Sequence, residues 1–126
     1  MKRHSGGGVT LLLLTLSLSA CTGGVRPDPP EYRQHFTATS DALLGASMAA
    51  LADREMVIVY GDQALGEVRA HYAARIPYTI TARVETKEQE GSTLSLTGRR
   101  GSAAIGTARL SRLATDIAGR LKPRDE

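Results

Sequence analysis

The chain has 126 residues, one cysteine, no tryptophan, one phenylalanine and a formal charge of +3. One cysteine excludes an internal disulfide and a multi-cysteine metal site, and so few aromatics leave any core to Ala, Leu, Val and Ile. Lys2 and Arg3 account for most of the charge: from Cys21 onward there are 14 cations against 13 anions, which removes the basic excess that nucleic-acid binding needs.

Met1-Lys2-Arg3-His4 is a short positive segment, followed by an apolar run from Val9 to Leu18. The run is shorter than the roughly 20 residues a spanning helix requires and has the length of a signal-peptide core. Leu18-Ser19-Ala20-Cys21 then resembles the lipobox of bacterial lipoproteins: a leucine, two small residues and a cysteine. The alternatives are a plain secretory signal cut at the same small residues, or an uncleaved anchor. The resemblance implies removal of residues 1–20 by cleavage between Ala20 and Cys21. It also implies diacylglycerol on the Cys21 thiol, and often an acyl group on the new amino terminus. Lipid on Cys21 is the only cofactor-like group expected. Thr22 follows the cysteine where an aspartate tends to retain such lipoproteins at the inner membrane. The resemblance therefore implies the periplasmic face of the outer membrane in an organism with two membranes.

Thr22 to Gln34 is rich in Gly and Pro and reads as a linker, with residues 21–36 taken together as lipidated cysteine and tether. Extended, its thirteen residues reach roughly 40 Å. The alternative is an arm that packs on the domain. Residues 37–122 are expected to form one domain and 123–126 a charged tail.

Thr39 or Ser40 is a candidate N-cap, and Leu44, Met48 and Leu51 follow at helical spacing, widened by Leu43 and Ala50. Gly45 either weakens this helix or permits close packing. Strand patterns follow at residues 55–60, 66–72, 78–85 and 93–97, with a turn signal at Gly61-Asp62 and a polar turn over residues 87–92. Residues 98–106 read as a flexible loop with Arg99 and Arg100 adjacent. Leu110, Leu113, Ile117 and Leu121 mark an amphipathic helix over residues 107–121, which Pro123 stops. The expectation is α+β: a two-layer sandwich of about four antiparallel strands with an N-terminal and a C-terminal helix on one face.

No local motif supports catalysis. His71 is expected on a polar strand face and His35 in the tether. Asp62, Glu67 and His71 follow no metal-ligand spacing. Arg99 and Arg100, in a Gly-rich loop before a helix, are a candidate anion site, although no Gly-Lys-Ser/Thr end makes it a P-loop.

The part beyond Cys21 resembles small envelope lipoproteins built as helix, antiparallel strands, helix. In element order it is similar to the repeated domains of the C component of the outer-membrane barrel-assembly machinery. These resemblances imply a non-enzymatic, membrane-anchored accessory or scaffolding module with an envelope-protein partner and no nucleic acid. The alternative is a module that binds a lipid headgroup or cell-wall polymer through Arg99 and Arg100.

Overall fold

The computed structural model describes residues 28–87 and 90–121. The lipobox, the signal segment, the first part of the tether and the charged tail lie outside the described residues. The element order is β1 (Tyr32–Phe36), α1 (Ser40–Ala52), β2 (Val57–Asp62), β3 (Glu67–Tyr72), β4 (Tyr78–Thr86), β5 (Ser92–Arg100), β6 (Ala103–Ala104) and α2 (Thr107–Leu121). The architecture is α+β, with a six-stranded antiparallel sheet rather than one of about four strands.

Strands β2 to β5 form a meander in the order β5-β4-β3-β2. β1 adds to the far side of β5, with Tyr32 opposite Leu96 and Phe36 opposite Ser92. This corrects the tether: residues 32–36 are an edge strand, not a linker. β6 pairs with the end of β5 along the same side. Helix α1 carries the chain from one edge of the sheet to the other.

One sheet face is apolar because each strand alternates with period two. Val68 and Ala70, then Ile80, Ala82 and Val84, then Leu94 and Leu96 are buried beneath the helices. Leu110, Leu113, Ala114 and Ile117 close this layer from α2, and Leu43, Ala50 and Leu51 from α1. Met48, expected on the buried stripe, is 38% exposed, and Ser47 takes a buried place instead. Its hydroxyl donates to the Leu43 carbonyl at 2.7 Å, so its burial leaves no unsatisfied group.

Thr39 is the N-cap of α1, its side chain accepting the Ala42 N–H at 3.2 Å. The other end closes with N–H bonds from Glu55 to the Ala52 carbonyl and from Met56 to the Leu51 carbonyl. This Schellman-type stop puts Glu55 at φ 60, where glycine is usual. The helices are also tied by ion pairs of Arg54 with Asp116 and Arg120 with Asp53.

Gly61 and Asp62 do not turn; they pair with Val68 and Glu67. The turn comes later, where Asp62 Oδ1 accepts the Leu65 N–H at 2.9 Å and Gly66 adopts φ 65. The loop expected over residues 98–106 is mostly strand: β5 runs through Arg100, and Gly101 at φ 58 begins a tight hairpin into β6.

Candidate functional site

Three surfaces carry chemistry: an apolar cleft, the solvent face of the sheet and the edge of β2.

The cleft opens between α2 and the sheet, with a volume of about 250 Å³. Met56, Tyr72, Tyr78 and Ile80 line it from the sheet side, Ile105 from the segment before α2, and Leu110 and Leu113 from α2. Tyr72 and Tyr78 stand edge to face, with ring centroids 6.2 Å apart. Gly98 shapes the neighbouring floor. A Cβ there would lie 2.8 Å from Ile105 Cδ1 and 2.7 Å from Ile80 Cδ1. Arg54 and Arg109 stand at the rim, and among the described residues no carboxylate lines the cleft. Arg54 donates to the Ala50 carbonyl at 3.3 Å as well as pairing with Asp116.

Arg99 and Arg100 belong to strand β5, so their side chains leave opposite faces of the sheet. The paired-guanidinium loop expected from sequence is therefore corrected. Arg100 shares the face of Leu94, Leu96 and Gly98 and lies over the ring of Tyr78, 5.3 Å from its centroid. That places it beside the cleft. Arg99 is on the other face, in a shallow polar recess with Thr79, Thr81, Thr97 and Pro29.

The solvent face is a lattice of charges. Glu67 accepts from Arg83 at 2.8 Å and from Arg69 at 3.0 Å. The Arg83 hydrogen bond is the largest reason that the Glu67 carboxyl is held below its ordinary range. Arg33 pairs with Glu85 at 3.2 Å and with Glu31 at 3.6 Å. Ser95, whose cross-strand neighbours are Arg33 and Arg83, is buried although it belongs to this face.

His71 is on this face and exposed, opposite Thr79 and Val57. No hydrogen bond joins it to Thr79. His35 is on β1, opposite Thr93, not in a tether. Asp62 and Glu67 are cross-strand neighbours, but His71 lies at the other end of β3. Among the described residues no group of three or more His, Cys, Asp or Glu has the arrangement to hold a metal. Ala20 and Cys21 lie outside the described residues.

β2 is one of the two edges of the sheet, β1 being the other. Val57 is 64% exposed and Val59 50%, with Tyr60 and Leu65 also exposed. The register shifts between Ile58 and Tyr60, leaving Val59 as a bulge. Arg69 lies over the Tyr60 ring at 5.4 Å.

Sequence reasoning missed the cleft because its lining comes from five separate segments. The alternation of β3 and β4 did place Tyr72, Tyr78 and Ile80 on one face. No protein-family model matches the chain, and no curated protein matches it.

Proposed function

We propose that this chain is a lipid-anchored envelope protein whose folded domain is a non-enzymatic accessory or scaffolding module. The anchor is the lipid on Cys21, read from Leu18-Ser19-Ala20-Cys21. The partner is an envelope protein that adds a strand or loop to the edge of β2.

The observation that carries the partner side is the exposure of Val57, Val59 and Tyr60 on an open sheet edge. An unpaired edge presents a row of N–H and C=O groups, and apolar side chains beside it supply area for a partner to bury. Soluble domains usually blunt such edges with charge. Here the run Val57-Ile58-Val59-Tyr60 contains none.

Photo-crosslinking from position 57 or 59 in living cells tests this reading. One reproducible protein partner is expected, lost when Val59→Lys places a charge on the edge. Crosslinks to lipid alone, or a partner unaffected by Val59→Lys, would overturn it. Cys21→Ala is expected to abolish lipid labelling, and a variant still lipidated and processed would overturn the anchor.

A second reading, binding of an anionic envelope ligand, is favoured by the position of Arg100 beside the apolar cleft.

A further inference from the structure

The cleft sits at the end of the sheet where the chain enters the domain. β1 starts there at Tyr32, opposite Leu96, and Pro29 shares a recess with Gly98 and Arg99. β5 and β3 finish there, β4 and β2 begin there, and α2 starts just beyond β6. The segment leading back to Cys21 therefore leaves from the cleft end.

We propose that the cleft receives the end of one acyl chain from an anionic membrane phospholipid, with Arg100 and Arg109 holding its phosphate. Apart from its two arginines the lining is mostly apolar, and among the described residues it contains no carboxylate, so it favours a hydrocarbon chain and does not repel an anion. Its volume of about 250 Å³ is below the range of clefts that enclose a whole ligand, roughly 300–1,000 Å³. It therefore suits a chain end and leaves the head group at the rim. Arg109 lines that rim and, among the described residues, has no ion-pair partner. Arg100 is exposed and, among the described residues, has no ion-pair partner, so its guanidinium can take an oxygen ligand. Arg54 is engaged by Asp116 and walls the cleft instead. Exposed Ile76, between β3 and β4, adds an apolar side chain to the same end. The choice of a membrane phospholipid over a free fatty acid rests on the anchored reading, because an anchor at Cys21 keeps the domain within reach of the bilayer.

The test uses the full chain in phosphatidylcholine nanodiscs. A phospholipid probe with a photoreactive group at its acyl terminus carries either a phosphatidylglycerol or a phosphatidylcholine head. Peptides containing Met56, Ile105 and Leu113 are expected to be labelled about tenfold more by the anionic probe: both heads carry a phosphate, but the choline cation of phosphatidylcholine is repelled by the two guanidiniums. An Arg100→Gln/Arg109→Gln double variant should bring that labelling down to the phosphatidylcholine level. Leu113→Trp should abolish it by filling the cleft, with circular dichroism confirming the fold. Equal labelling by the two heads overturns the proposal, as does label away from the cleft. So does entry of a photoreactive free fatty acid where phosphatidylglycerol fails. A Cys21→Ala chain, held in the discs by its uncleaved apolar segment, should label in the same way. Lipid analysis of the two chains reads the anchor separately from the cleft.

Discussion

Glu67 stands directly across the β3–β4 ladder from Arg83 and accepts a 2.8 Å hydrogen bond from its Nη2. The carboxylate is only 13% exposed and is also held by Arg69. Its folded-state pKa is therefore below the ordinary 4.5. The stabilisation is fully present above that ordinary value and is lost as pH falls through the lower, folded-state value. Urea unfolding across pH 2–7 should show an acid-side decline that Glu67→Gln reduces. At neutral pH that variant should lose about 1 kcal/mol, since both arginines are partly solvated.

Gly45 lies inside α1, exposed, and a Cβ there meets no atom within 4 Å. Of the two roles open to it, close packing is thus removed. Gly45→Ala should stabilise the domain by about 0.5–1 kcal/mol, read from the denaturation midpoint at unchanged slope.

Gly66 behaves in the opposite way. Its φ is +65, and a Cβ would lie 2.3 Å from the Val84 carbonyl oxygen. Its own carbonyl accepts the Val84 N–H at 2.7 Å, so the two backbones are pinned together. Gly66→Ala should cost about 2 kcal/mol or more, visible as a lower thermal midpoint.

Glu55 occupies the left-handed position after α1. A side chain there costs roughly 1–2 kcal/mol, part of which glycine returns through its larger unfolded-state entropy. Glu55→Gly should therefore raise stability by about 0.5–1 kcal/mol, measured by urea unfolding.

The meander and both helices were legible because β3, β4 and α2 bury residues at strict period two or 3.6. The spacing of Leu110, Leu113, Ile117 and Leu121 predicts a helix over residues 107–121, and α2 spans Thr107–Leu121. β1 was hidden by Gln34, a polar residue on the core-facing side, and by the prolines before it. A strand whose partner lies some 60 residues away leaves no local mark. The end of β5 was hidden by its glycines. Gly98 has its place because Ile105 and Ile80 crowd the position, a packing demand that reads in sequence like flexibility. Arg99 and Arg100 looked like a pair because adjacency is all that a sequence displays. The strand separates them, and only the fold brings Arg100 to Tyr78.

The crossover by α1 places β1 and β2 at opposite margins of one sheet. The chain toward the amino terminus leaves from β1, while the apolar margin with Val57 and Val59 exposed is β2. A mechanical load applied between these two strands has two paths, one along the backbone through α1 and one across the sheet. The path across the sheet runs through β5, β4 and β3 in turn, by way of the hydrogen bonds of each ladder. A domain wired in this way spreads tension over its whole width, because α1 and the sheet span the same two margins side by side.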